Sequence, residues 1–226
     1  MVLNSGESVL DAGCGTGLLL EMEAKAVGRN GRAEGVDFSN DMLDFARRRC
    51  AAYDQVKLQQ GSIESLDFDD DSFDALSCTQ TLLYVDRLDD ALNELHRVLK
   101  PHGRIVIVET DWRGAILNSA YPEISRTVFD AWDSVVANPN LPRRMRKLLI
   151  DRGFSVVRVE AIPIVNAGYS EHSFSAGMLT NFARTAHKRG AISDAEKQAW
   201  LDNLQALADD DAYFFSVNRY LFSAIK

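Results

Sequence analysis

The 226 residues, 46% of them hydrophobic, are enough to bury a full core in one domain, or in one domain with an elaboration. A formal net charge of -8 excludes a globally phosphate-tracking surface, so nucleic acid is not an expected partner. Cys14, Cys50 and Cys78 show neither CxxC nor Cys/His spacing, which excludes a disulfide scaffold and a zinc site; with no leader and no membrane-length apolar window, the chain fits a soluble protein of the reducing cytoplasm.

From Ser8 to Val108 short apolar or β-branched runs alternate with longer helical patterns, which predicts βαβ units and a parallel sheet. The first strand, 8–12, runs into Gly13-Cys14-Gly15-Thr16-Gly17 and then into a helix from Leu18. Such a loop leaves backbone N–H groups at a helix N-terminus with little side-chain bulk, so a polar ligand can approach the main chain; a tight turn alone is the other reading. The spacing is GxGxG with Asp11 two residues ahead of the first glycine, whereas a dinucleotide fingerprint is GxGxxG. The second strand, 31–37, ends at Asp37, where a carboxylate can accept both hydroxyl hydrogens of a ribose or, alternatively, cap the next helix. Ser39 already suits that cap, ahead of a helix carrying Met42, Leu43 and Ala46 to about Tyr53, with the basic run Arg47-Arg48-Arg49 on a solvated face. Phe38 is placed either to stack on an adenine or to join the core.

A third strand at 55–60 leads to Gly61-Ser62-Ile63, and the acidic cluster from Asp67 to Asp71 reads as a solvated turn rather than a metal site. A fourth strand at 73–79 precedes a helix at 88–100, in which Leu88, Ala91, Leu92, Leu95, Val98 and Leu99 share a face and which Pro101-His102-Gly103 stops. The fifth strand is expected at 103–109. Beyond Thr110 come a helical stretch around 121–136, a break from Asn138 to Pro142, and a basic helix through Arg143-Arg144-Met145-Arg146-Lys147 that ends at Gly153. Strands at 154–165 and 213–225 then bracket two helix-like segments, the later opened by a capping box from Ser193 to Glu196 with Trp200, Leu204 and Leu207 on one face. No repeat or linker argues for separate domains.

The stretch VLDAGCGTG resembles the first motif of the class I S-adenosylmethionine (SAM)-dependent methyltransferases. The order of motifs through SCTQTLLYVDRLDDALNELHRVLKPHGRIVIVETDW resembles the small-molecule branch that includes the ubiquinone and menaquinone biosynthesis methyltransferases. The resemblance implies an α/β, Rossmann-like fold: a seven-stranded, mostly parallel sheet with an antiparallel last strand, helices on both faces and a helical insertion before the last strand. It implies one domain over 1–226, with a SAM-binding half at 1–110 and a substrate-side half at 111–226 whose insertion covers about 169–208. The cofactor implied is SAM, held by Asp11, Gly13, Cys14, Gly15, Gly17, Asp37, Phe38, Met42, Gly61, Ser62, Ile63, Thr79 and Gln80. Ser62 stands where the family commonly has an acid facing the adenine amine, leaving a hydroxyl or the Ile63 N–H for that contact.

The implied reaction is in-line transfer of a methyl group to a small, partly apolar acceptor, which requires alignment, exclusion of water and, for a hydroxyl acceptor, removal of a proton. Tyr84, Asp111, Trp112, Tyr169 and Phe174 are the candidate acceptor-side residues, with a core role as the alternative for Trp112, Tyr169 and Phe174. His172, Asp111 and Glu109 are candidates for removing the proton; His172 is the one assigned a catalytic role, against a plain surface histidine. Family members usually carry a helical cover before the first strand, whereas this chain enters its strand by Ser8; the cover is expected from inserted helices at 174–208, from a partner, or from residues missing at the start. A SAM-binding protein without transfer and a nicotinamide-dependent oxidoreductase stay open as other readings, the latter disfavoured by the glycine spacing.

Overall fold

The computed structural model describes residues 1–170 and 172–226. In chain order the elements are β1 (Ser8–Ala12), α1 (Leu18–Val27), β2 (Arg32–Asp37), α2 (Asn40–Arg49), β3 (Val56–Gln60), β4 (Phe73–Thr79), α3 (Leu88–Val98) and β5 (Leu99–Thr110). They continue with β6 (Ile116–Leu117), α4 (Pro122–Asp133), α5 (Leu141–Asp151), β7 (Ser155–Asn166), α6 (Phe174–Lys188), α7 (Asp194–Asp209) and β8 (Phe215–Ile225). Strand pairing follows the order β3-β2-β1-β4-β5-β8-β6, with β7 also pairing β8. The β1–β2, β1–β4, β2–β3 and β4–β5 pairs are parallel and the C-terminal strands antiparallel. The seven expected strands are therefore present; β6, only two residues long and antiparallel to β8, makes the eighth.

The chain divides into two compact units, Met1–Glu109 with Leu141–Glu160 and Tyr220–Lys226, and Thr110–Asn140 with Ala161–Arg219. In the first unit β1 is the central strand, with β2 on one side and β4 on the other, so the chain leaves its carboxyl end in opposite directions at a topological switch point. Open α/β sheets bind ligands at such a point. The strand is buried along nearly all its length, and Val9 packs with Leu20, Ala24 and Val27 of α1 and with Ala33 and Ala75 of the neighbouring strands. The second unit has an aromatic core: Trp132 stacks on Phe182 at 4.3 Å between ring centroids, and Trp112 meets the same ring edge-on at 4.9 Å. The expected capping box at the start of α7 is formed in both directions, Ser193 Oγ accepting from Glu196 N and Glu196 Oε2 from Ser193 N.

Several boundaries differ from the sequence reading. α2 ends at Arg49 rather than near Tyr53, because the chain turns through a Tyr53 N–H to Cys50 O bond to enter β3. α3 ends at Val98, since Pro101 lacks the N–H a helix would need and disfavours helical backbone just before it. Leu99 is already paired with Phe73, and the residues from Lys100 to Gly103, with His102 at φ 64°, form an irregularity before pairing resumes at Ala75 and Arg104. That is how a proline is accommodated inside β5. Pro142, read as part of a break, instead sits in the first turn of α5, where its missing N–H has no intrahelical partner to lose. Among the described residues no helix is long and apolar enough to cross a membrane.

Candidate active site

The loop between β1 and α1 uses its three glycines for three different reasons. All have positive φ, at 81° for Gly13, 52° for Gly15 and 75° for Gly17. At Gly13 a Cβ would lie 2.2 Å from Thr81 Oγ1, and at Gly17 it would press on Ala46 at 3.0 Å, so both positions are closed by neighbouring protein. At Gly15 a Cβ would meet nothing within 4 Å. The bare backbone that faces open space is therefore that of Gly15. Gly13 N and Cys14 N both donate to Val36 O, at 2.8 and 3.0 Å, which lashes the loop to β2.

At the end of β2, Asp37 is only 8% exposed and holds two amides: its Oδ2 accepts from Gly15 N at 2.8 Å and its Oδ1 from Ser39 N at 2.9 Å. Ser39 itself caps α2, accepting from Met42 N, as its position suggested. A carboxylate has about four acceptor sites, so two amide bonds leave each oxygen of Asp37 able to take one more donor. Phe38 is 80% exposed beside it, outside the core.

These residues rim a cavity of about 580 Å³ that also takes in Gly61, Ser62, Ile63, Thr79, Gln80 and Tyr84. Segments following β1, β2, β3 and β4 thus converge as expected. Ser62 lies beyond the end of β3, and its hydroxyl accepts from Glu64 N at 3.2 Å. A second cavity of about 670 Å³ shares Gly13, Gly15 and Thr79 with the first and extends over Leu18, Met22, Val106 and Val108, with Asp11, Cys14, Glu23 and Ser77 among its walls. Met42 and Gly17 border neither cavity: Met42 lies half-exposed on α2, and Gly17 serves packing. Cys14 is buried, and burial pushes its thiol well above the usual range. The acids of the 67–71 turn are engaged in part with cations, Asp70 with Arg97 at 2.8 Å and Asp71 with Lys226 at 2.7 Å.

Sequence reasoning passed over Glu23. On α1 the residues Leu20, Glu23, Ala24 and Val27 form the buried stripe, and a carboxyl on that stripe was itself the available signal. Glu23 is 3% exposed, and neither of its oxygens meets a hydrogen-bond partner. Burial raises its pKa and that of Asp11, with the charge of Asp11 adding to the shift of Glu23 and that of Asp37 to the shift of Asp11, while the Ser77 hydroxyl, 3.3 Å from Asp11, opposes both. Glu109 at the end of β5 is likewise pushed up to about 8 by burial, against the pull of the Leu82 and Thr81 amides.

The second unit contains the remaining sequence candidates. Trp112 is buried and stacks on Phe174 with ring centroids 6.1 Å apart, and Arg219 lies over Phe174. Asp111 is buried and its amide donates to Asn218 O. Tyr169 leans on Tyr213, whose hydroxyl donates to Ser175 Oγ at 2.8 Å. His172 is exposed in the turn that precedes α6.

Residues 3–174 match the family model of a methyltransferase domain. The chain belongs to that family. The match covers the glycine loop, the Asp37 turn, the whole smaller cavity and all of the larger one but Met1 and Leu221. An uncharacterised 37.1 kDa protein encoded in a transposon of Streptomyces fradiae is 34% identical over 220 residues, 97% of this chain and 62% of the relative. The demethylmenaquinone methyltransferase of Staphylococcus epidermidis is 29% identical over 196 residues, 78% of this chain and 81% of the relative. In fold, the methyltransferase superposes on the YcgJ protein of Bacillus subtilis with a TM-score of 0.65 at 20% identity, covering 99% of this chain and 93% of that one. The matched family is that of a methyltransferase domain, and SAM is the cofactor its first motif implies. The residues present fit that cofactor: Gly15 offers an open main chain, and Asp37 retains acceptor capacity for ribose hydroxyls.

Two outcomes follow from this geometry. Gly15→Val folds, at a cost of about 1–2 kcal/mol for its left-handed backbone, and lowers affinity for S-adenosylhomocysteine by at least about tenfold, ~1.4 kcal/mol. Gly13→Ala instead destabilises the fold by roughly 1–3 kcal/mol through overpacking against Thr81. Chemical denaturation with calorimetric titration separates the two, and a Gly15→Val protein that binds normally removes Gly15 from the site. The buried carboxyls also set a pH dependence. Their folded-state pKa values exceed the unfolded ones near 4, so the native state holds protons that the unfolded chain has released, and stability falls as pH rises from about 4 through about 8. Glu23→Gln should flatten that decline; an unchanged slope in denaturation across this range contradicts the assignment.

Proposed function

We propose that the protein transfers the methyl group of SAM to a small, partly apolar acceptor, with the cofactor lying across Gly15. The observation that carries this reading is the Asp37 carboxylate, which holds the Gly15 amide at 2.8 Å beside a cavity while keeping acceptor capacity for a ribose. When bound, SAM supplies an electrophilic methyl group on a sulfonium. The chain's own work is placement: Asp37 takes the ribose hydroxyls, the exposed Phe38 ring stacks on the adenine, and Ser62 and the Ile63 amide meet the adenine edge. Thr79 and Gln80, with Asp11 behind the loop, border the methionine end. Gly13, Cys14 and Gly17 act through the shape of the loop, and Met42 contributes at most to the outer rim.

Acceptor recognition is assigned to Tyr84, Trp112, Tyr169 and Phe174, aromatic side chains that favour a ring-bearing or otherwise apolar molecule. The likeness to a demethylmenaquinone methyltransferase supports an acceptor with an apolar quinone-type ring. His172, with Asp111 as the second candidate, is assigned removal of the acceptor's proton, imidazole being the commonest side-chain general base. We further infer a cytoplasmic protein, on three free and buried cysteines, and an acceptor other than nucleic acid, on the charge of -8. Both compact units are assigned to one methyltransferase domain.

The test is transfer of labelled methyl from SAM to a panel of phenols, quinols, amines and thiols. Transfer to an apolar, ring-bearing acceptor is expected, and Asp37→Ala should weaken SAM binding by roughly 1.5–3 kcal/mol, the range for hydrogen bonds to a charged group. His172→Ala should lower turnover by ~10²-fold with SAM affinity unchanged. SAM binding without transfer to any acceptor would support a binding protein instead, and equal turnover would remove His172 from the mechanism.

A further inference from the structure

Glu109 is fully buried at the end of β5 and borders neither cavity, yet its carboxyl is committed to the turn that follows β4. Its Oε1 accepts from Thr81 N at 3.1 Å and from Leu82 N at 2.8 Å. That turn contains Gln80 with φ 55°, a left-handed backbone that is strained for a residue with a side chain. Gln80 is pinned to β5 through its own amide, which donates to Val108 O at 2.8 Å, and through its side-chain Nε2, which reaches the same oxygen at 3.1 Å. Held in this way, Thr81 fills the space over Gly13, and its hydroxyl lies 3.1 Å from Thr79 O and 3.4 Å from Gly13 O.

We propose that Glu109 is a positioning residue that latches the 79–82 turn, so that Thr81 seats the glycine loop through Gly13 and Thr79 and Gln80 face the cofactor cavity. The chain of contacts is Glu109 to Thr81 to Gly13, two residues from the open backbone of Gly15. Glu109 accepts both amides of this turn, and without it the turn would be free to relax the strained Gln80. The same geometry takes Glu109 out of the set of proton acceptors, because its Oε1 is occupied and its carboxyl is buried away from both cavities. The proposal rests on reading this cleft as the SAM site.

Calorimetric titration of S-adenosylhomocysteine into wild type, Glu109→Ala, Glu109→Gln, Thr81→Ala and the Glu109→Ala/Thr81→Ala double variant tests it. Glu109→Ala should weaken binding by roughly tenfold or more, while Glu109→Gln, which keeps the acceptor oxygen, stays within about threefold of wild type. The double variant should lose little more than Glu109→Ala alone, because both changes break one chain of contacts. If Glu109→Ala does not fold, Glu109→Asp, too short to hold both amides, takes its place with the same expectation. Unaltered affinity in Glu109→Ala, a glutamine variant as weak as the alanine one, or additive losses in the double variant would overturn the latch while leaving the SAM site standing. A wild-type protein that does not bind S-adenosylhomocysteine would overturn the reading of the cleft itself, and the latch with it.

Discussion

The Asp37 carboxylate closes two turns at once, accepting the Gly15 amide on one oxygen and the Ser39 amide on the other. The loop after β1 and the turn after β2 therefore share one charged acceptor, and hydrogen bonds to an ionised group are roughly twice as strong as neutral ones. The parallel register makes this possible: Ala12 lies beside Val36, so the two strands end level, and Val36 O collects the amides of Gly13 and Cys14 just before Asp37 takes that of Gly15. Successive amides of one loop are thus tied to successive residues of the next strand. What remains uncovered is one side of Gly15 and the spare acceptor capacity of Asp37, and together they define where a ribose can sit.

Closure of this kind also explains the division of labour among the surrounding residues. Thr81 presses on Gly13 from the β4 side and Ala46 on Gly17 from α2, so the loop is held at both ends and open only at its middle. The acids behind it, Asp11 and Glu23, are buried among apolar side chains, where the neutral form is favoured. Methyl transfer from a sulfonium demands alignment and dryness more than acid–base chemistry, and a rigid loop over an apolar cavity supplies both.

Much of this was legible in the sequence, and the pattern of what was not has a physical cause. The strands 8–12 and 73–79, the Ser39 cap and the Ser193 capping box depend on neighbours within a few residues, and each was readable at that range. Asp37 and Gly15 were readable because a motif fixes their spacing. Glu109, Thr81 and Ala46 act across separations of 27 or more residues, through packing that no local pattern reports. Met42 looked like a site residue from its neighbourhood, but the helical turn carries it away from the cavity. Trp112 and Phe174, read evenly as pocket or core, stack on one another within the second unit, so whatever they offer an acceptor they offer as a pair.

The central claim is that Asp37 joins the glycine loop to the ribose of the cofactor, and it is tested most directly by pairing a change in the protein with one in the ligand. Titration of wild type and Asp37→Ala with S-adenosylhomocysteine and with its 2′-deoxy analogue yields a four-way cycle of affinities. If the carboxylate accepts the ribose hydroxyl, wild type binds the deoxy compound more weakly by roughly 1.5–3 kcal/mol, and Asp37→Ala no longer distinguishes the two ligands. Discrimination that persists undiminished in Asp37→Ala would place the ribose elsewhere and contradict the account.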